Sequence, residues 1–289
     1  MIFTDFFVGF VDVLGYRERL RQIHEVPSND AGRNQVISIL RETYGRVRAL
    51  RDAFDNYLRE ASIVSPEMLA ALPPDKQEQF CKARAVEARH RGFSDSFIIT
   101  VPLWESRDRH VVSNASSVFA ALHGIAGVYL TALSLGVPLR GGIDVGPALD
   151  DAGEVYGPPL ISAYELECKA AKYPRVLAGD GLVRYLQYLS HRPTDDALAA
   201  LTVATANRSL GLLTHDPEDG RAMLNAFSPQ MHEISGRLVT ECSRKGLAWA
   251  TAERGRFADS GNITLADRYR RLCEHIAAEL TRSSDQPGR

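Results

Sequence analysis

Residues 5–16 read DFFVGFVDVLGY and residues 93–101 read FSDSFIITV, and the reading of these two stretches decides the fold. The first is a Phe- and Val-rich run closed by Gly15, the pattern of a central strand followed by a turn. In the second, Gly92-Phe93-Ser94-Asp95 forms the turn of a β-hairpin over residues 83–103, and residues 96–101 form its buried second arm.

Outward from these strands the helices declare themselves by period. Between residues 34 and 61 the apolar side chains Val36, Ile37, Leu40, Tyr44, Val47, Leu50, Phe54 and Leu58 recur at three- and four-residue steps, the signature of a long amphipathic helix. Pro66, Pro73 and Pro74 then punctuate a stretch of short inserted helices. A helix over residues 114–135 stops at Gly136, with Pro138 just beyond. A strand over 139–146, a turn at 150–153 leading into 154–156, a helix over 158–172 and a short strand over 174–178 complete the series.

The order predicts an α/β protein of the α+β sandwich type, with a ferredoxin-like βαββαβ core. Residues 1–190 form this unit, interrupted by a helical insertion at about 31–83. Residues 191–281 read as a mainly helical extension whose last helix presents Tyr269, Leu272, Ile276 and Leu280 on one face. Residues 282–289 are polar and are expected to be a disordered tail.

Composition narrows the function. The 289 residues carry 34 Lys+Arg against 36 Asp+Glu, a net charge of -2, without the basic footprint of a general nucleic-acid binder. Four scattered cysteines, Cys81, Cys168, Cys242 and Cys273, form no CxxC pair, so reduced thiols in a cytoplasm are expected. The apolar N-terminus lacks a basic leader region, and Asp5 and Asp12 interrupt it, which argues against a signal peptide. The run over 118–137 contains His123, Thr131 and Ser134 and reads as a core helix; no membrane partner is expected.

In a βαββαβ sheet the first and third strands pair antiparallel, so the end of one lies beside the start of the other. Asp12 closes the first strand and Asp95 opens the third. Two converging carboxylates repel unless a cation sits between them, and magnesium favours carboxylates combined with substrate phosphates. The turn Val13-Leu14-Gly15 offers a carbonyl to metal and N–H groups to phosphate. Taken singly, each Asp is equally at home capping a helix or filling a turn; only their convergence points to metal.

The segment Phe10-Val11-Asp12-Val13-Leu14-Gly15-Tyr16 resembles the first metal motif of class III nucleotidyl (adenylate and guanylate) cyclases, and Phe93-Ser94-Asp95-Ser96 resembles the second. Residues 139–146, LRGGIDVG, are similar to the strand before that family's dimer-facing hairpin, and 155–164, VYGPPLISAY, to the start of its catalytic helix. The resemblance implies Asp12, Asp95 and the Val13 backbone as ligands to two magnesium or manganese ions. It also implies Leu14, Gly15 and Tyr16 as phosphate contacts, and a homodimer with the hairpin over 149–156 at the interface.

The family's catalytic-helix Asn and Arg correspond here to Ile161 and Glu165, so that helix cannot act in the usual way. Arg140, Lys169, Lys172 and Arg175 are the candidates to replace the missing Arg, and the sequence does not choose among them. Arg91 occupies one base-selecting position and Glu154 lies near the other. These departures, with the helical insertion and Tyr173-Pro174-Arg175, look most like the pyrimidine cyclases of the bacterial Pycsar anti-phage systems. That likeness implies UTP, or else CTP, as substrate, and a separate receptor protein that reads the diffusible cyclic product. A guanidinium at Arg91 would donate to the O2 and O4 carbonyls of uracil. Adenylate or guanylate cyclase, a polymerase-like palm and an inactive nucleotide-binding regulator are the rival readings. His90, His110 and His123 show no paired metal spacing.

Overall fold

The computed structural model describes residues 2–15, 20–64, 66–70, 72–83, 88–104, 111–151 and 154–284. Its elements run β1 (Ile2–Val13), α1 (Asp30–Ser62), α2 (Pro66–Ala70), α3 (Pro74–Ala83), β2 (Arg89–Phe93), β3 (Ser96–Leu103), α4 (Val111–Ser134), β4 (Leu139–Asp151) and β5 (Glu154–Tyr156). After these come α5 (Pro158–Glu165), a π-helical turn (Leu166–Ala170), β6 (Val176–Ala178), α6 (Asp180–Ser190) and α7 (Ala197–Gly211). A hairpin of β7 (Leu213–His215) and β8 (Ala222–Leu224), then α8 (Pro229–Asp259) and α9 (Ile263–Ser284), end the chain.

β1 is buried on both faces, which is why it reads as a continuous apolar run. Phe7, Val11 and Val13 face one helical layer, whereas Phe6 and Val8 face the other. β1 pairs antiparallel with β3 and with β4, and the strand order β2-β3-β1-β4 is that of a ferredoxin-like sheet. Beyond this core β6 runs parallel to β4, and β8 and β7 extend the sheet to eight strands, with β5 paired to β4.

One layer begins with α1, capped by the Asn29 side chain accepting from the Gly32 N–H at 2.7 Å. Its buried face, Val47, Leu50, Phe54, Tyr57 and Ala61, lies against α4. Contact is close because α4 carries glycine there: a methyl on Gly124 would collide with the Phe54 ring, and one on Gly127 with Tyr57. Every residue from 111 to 130 is buried. Among the described residues α4 is the one helix long and apolar enough to cross a membrane, and 94% of its apolar window is buried within the protein. The opposite face of the sheet is covered by α5, whose Ala163 carbonyl sits where a side chain on Gly142 of β4 would be.

Among the boundaries that differ from the sequence reading, including β4, which runs on through Asp151 past the expected end at 146, and β2, which begins at Arg89 instead of 83, three more bear on the site and the extension. The helix expected over 158–172 is α5 followed by the π-helical turn, and it ends before Lys172. The C-terminal extension is mainly helical, but its β7–β8 hairpin joins the main sheet through β6, and Val239, Cys242, Leu272 and Ile276 share one core cluster with Phe54 and Val11. Short strands of three residues carry too little periodicity to announce themselves. Finally, α9 continues through 284, past the expected start of the tail at Arg282; residues 285–289, Tyr16 and His110 lie outside the described residues.

Candidate active site at the ends of the central strands

Asp12 lies opposite Ser96 of β3 and Arg140 of β4, near the end of β1. Asp95 occupies the β2–β3 turn, where Ser94 adopts φ 56°, and the Asp95 carbonyl accepts the Val13 N–H at 3.1 Å. The backbones of the two aspartates therefore adjoin at the ends of two interior strands and not along an edge strand, and Asp95 also lines a cavity against α1.

Side chains alternate along β1, so Asp12 faces the α5 side with Phe10. Its Oδ1 accepts from the Ser96 hydroxyl at 3.1 Å, and its Oδ2 lies 3.8 Å from an Arg140 nitrogen. That guanidinium also stands 2.5 Å from Glu167, a residue of the π-helical turn that is 3% exposed. Burial, then the neighbouring Glu167 and Asp95 carboxylates, push the Asp12 carboxyl up to about 6, against the opposing Ser96 hydrogen bond and Arg140 charge. Burial raises Glu167 as well, with Asp95 adding to it and Arg140 resisting. Arg140 Nε is buried without a hydrogen-bond partner among the described residues.

The result is two carboxylates sharing one guanidinium, with Asp95 near enough to act on both, an excess of negative charge in a partly desolvated place. A divalent cation fits this chemistry: the oxygens are hard, and a positive ion would relieve the repulsion that lifts Asp12. Among the described residues no group of three His, Cys, Asp or Glu side chains is already arranged to enclose an ion. An ion here would draw its remaining oxygens from water and phosphate, which is the habit of magnesium.

Other sequence candidates are placed as follows. The Leu14 N–H donates to the Pro138 carbonyl at 2.9 Å, so it is engaged within the chain; Gly15 follows with φ 90° in the left-handed region. Arg91 lies opposite Ile98, which lies opposite Phe10, so Arg91 shares the sheet face of Asp12, and it has no partner among the described residues. Glu154 pairs with Asp151, eleven residues along β4 from Arg140, a separation of roughly 35 Å at ~3.3 Å per residue. Within one chain it cannot meet a ligand held by Asp12.

Of the four replacement cations, Arg140 alone is brought to the carboxylates. Arg175 is consumed by a buried cluster with Asp216, Tyr173 and Asp219, and Lys169 pairs with Glu165 at 2.6 Å on the exposed side of the helix. Lys172 lies on a separate cavity. Ile161 and Glu165, the residues that the resemblance sets against that family's Asn and Arg, point away from the core, with Ile161 59% exposed.

Glu167 was not singled out by sequence. The signal was present: Pro159 and Ala163 face the sheet, and four residues further a helix would place Glu167 on that same apolar face. A charge at such a position demands a partner, and Arg140 supplies it. Of the histidines, His90 pairs with Asp55 at 3.1 Å, and His123 is buried with its Nδ1 3.2 Å from the Tyr57 carbonyl.

Compared with protein-family models, curated proteins and solved structures, the chain matches none of them.

Proposed function

We propose that this protein is a nucleotidyl cyclase that converts UTP, or less readily CTP, to the 3′,5′-cyclic nucleotide and pyrophosphate. The observation that carries the reading is the approach of Asp12 and Asp95, tied by the Val13–Asp95 backbone hydrogen bond, with the Asp12 carboxyl raised by burial and by its neighbouring carboxylates. Asp12, Asp95 and the Val13 carbonyl would hold two magnesium or manganese ions. When bound, the ions supply Lewis-acid activation of the 3′-hydroxyl and neutralise charge on the departing pyrophosphate.

The chain's own residues have distinct tasks. Ser96 fixes the orientation of the Asp12 carboxylate through its hydrogen bond. Arg140, held by Glu167 and with a buried Nε that has no hydrogen-bond partner among the described residues, is assigned to steady phosphate charge in lieu of the family's helix Arg. Arg91, on the same face and without a partner among the described residues, is assigned to the pyrimidine carbonyls. Tyr164, 5.4 Å from Phe10 in an edge-to-face pair, lines that face from α5.

A homodimer belongs to the reading. Phe3 and Tyr156, 75% and 78% exposed, lie in one row across β1, β4 and β5, and a second copy would cover them. A Glu154 contribution to base selection then comes from the partner subunit alone. The cytoplasm and a separate receptor for the cyclic product, as in anti-phage signalling, complete the proposal.

A specific observation favours a second reading, an inactive nucleotide-binding regulator: the Val13 and Leu14 N–H groups are spent within the chain, and Arg140 is already paired. One experiment separates the two. Purified protein is incubated with each of the four nucleoside triphosphates and manganese, and products are identified by mass spectrometry. Cyclic UMP as the main product, lost in Asp12→Asn and Asp95→Asn, supports the cyclase; a purine product points to adenylate or guanylate cyclase, and no cyclic product overturns the cyclase reading altogether.

A further inference from the structure

A cavity of about 520 Å³ opens where the C-terminal helices meet the turn that leaves β1. Its volume lies in the ordinary range for small-molecule sites. One wall is aromatic: Trp249 and Phe257 of α8 both meet Tyr269 of α9, at 5.5 Å edge-to-face and 5.5 Å stacked. The opposite wall is the Leu14-Gly15 turn and Pro138. Neither Asp12 nor Asp95 lines it, so it is distinct from the carboxylate site.

The charges of this cavity are unbalanced. Glu42 and Glu253 are each answered by a lining arginine, Arg46 at 3.0 Å and Arg256 at 2.5 Å. Lys172 and Arg268 have no partner among the described residues, although ion pairs abound nearby: Arg270 and Arg271 both pair with Asp267 and Glu218. These two cations stand together between this cavity and an adjoining cleft of about 360 Å³, which both also line. Two positive groups beside an apolar aromatic wall form a complementary pair of subsites, one for an anion and one for a planar ring.

We propose that this cavity is a second ligand site, for a nucleotide whose base packs on the Trp249–Tyr269 wall and whose phosphates engage Lys172 and Arg268. Its position gives it a regulatory role. Leu14 and Gly15 form its wall, and Leu14 is hydrogen-bonded to Pro138, another wall residue, two positions after Asp12. A ligand that orders this turn changes the freedom of the Asp12 carboxylate, and the coupling is reciprocal. The C-terminal extension thereby acts as a sensor built onto the central strands, and the inference stands whether or not the carboxylate site is a cyclase.

Trp249 reports directly on the site, since Trp104 is the only other tryptophan. In a Trp104→Phe background, with EDTA present to disable metal-dependent binding, emission is titrated with UMP, UDP, AMP and inorganic phosphate. Saturable quenching by a nucleotide is expected, retained in Asp12→Asn and weakened by about tenfold or more in Lys172→Glu/Arg268→Glu through loss of charge-assisted hydrogen bonds. Circular dichroism confirms that each variant is folded, and Lys172→Gln/Arg268→Gln replaces the reversal pair if it is not. Absence of quenching by any probe overturns the proposal. So does binding that disappears in Asp12→Asn but survives the Lys172/Arg268 changes, which would place the nucleotide at the carboxylates. Equal response to phosphate and nucleotides overturns the assignment of a base to the aromatic wall.

Discussion

Arg140 on β4 and Glu167 in the π-helical turn form an ion pair of 2.5 Å, with the glutamate side chain 4% exposed and the same guanidinium nitrogen 3.8 Å from Asp12. The arginine thus answers two carboxylates at once. A widened helical turn at this point is consistent with the frequent occurrence of π-bulges at functional sites.

Breaking this pair one residue at a time should cost more than removing it whole. Arg140→Ala leaves Glu167 and Asp12 facing each other without a counter-charge, and a loss of about 3 kcal/mol of stability is expected, at the lower end for buried pairs because Arg140 is partly solvated. Arg140→Ala/Glu167→Ala should recover most of that loss but no cyclase activity. Urea denaturation and a product assay measure the two effects, and additive stability losses in the double variant would refute the coupling.

Arg91 should set base preference without setting the rate of chemistry. In Arg91→Ala the ratio of kcat/KM for UTP over ATP is expected to fall by about tenfold, because a donor facing the pyrimidine carbonyls is lost. Stability should change little, since Arg91 has no partner among the described residues. An unchanged ratio would remove Arg91 from the site.

Dimerisation should depend on the exposed row at β5. Tyr156→Glu introduces a charge where a second copy is expected to pack, and light scattering should show a shift from dimer to monomer with loss of turnover. A monomer with full activity would contradict a shared site.

His123 should make the fold sensitive to acid. Burial pushes its imidazole down to about 4, whereas the unfolded chain protonates it near its ordinary value of 6.5. Between these values the unfolded state binds the extra proton, so stability is fully present above about pH 6.5 and is lost as pH falls toward 4. The loss from this one group is on the order of 2–3 kcal/mol. Guanidinium denaturation at pH 7 and pH 5 should show a smaller pH difference in His123→Leu than in the native protein, whatever the variant's absolute stability. An identical difference would assign the acid sensitivity to other groups.

Elements long enough to repeat their period were legible from sequence alone. β1 announced itself by a run of Phe and Val, and α1 and α4 by apolar residues at helical spacing or throughout. The ferredoxin-like order then sufficed to bring Asp12 and Asp95 together, because strand topology is a consequence of element order and antiparallel pairing. What a side chain does once there was decided by tertiary structure. Among Arg140, Lys169, Lys172 and Arg175 no local pattern separates the residue beside Asp12 from the one buried against Asp216, since each partner comes from a distant part of the chain. Likewise, Leu14 spends its N–H on Pro138, Glu167 is aimed by a π-helical turn, and the three-residue strands β7 and β8 join the sheet only through β6. Periodicity is a property of neighbouring residues, whereas charge pairing and short-strand registry are settled by which distant surfaces the packed core presses together.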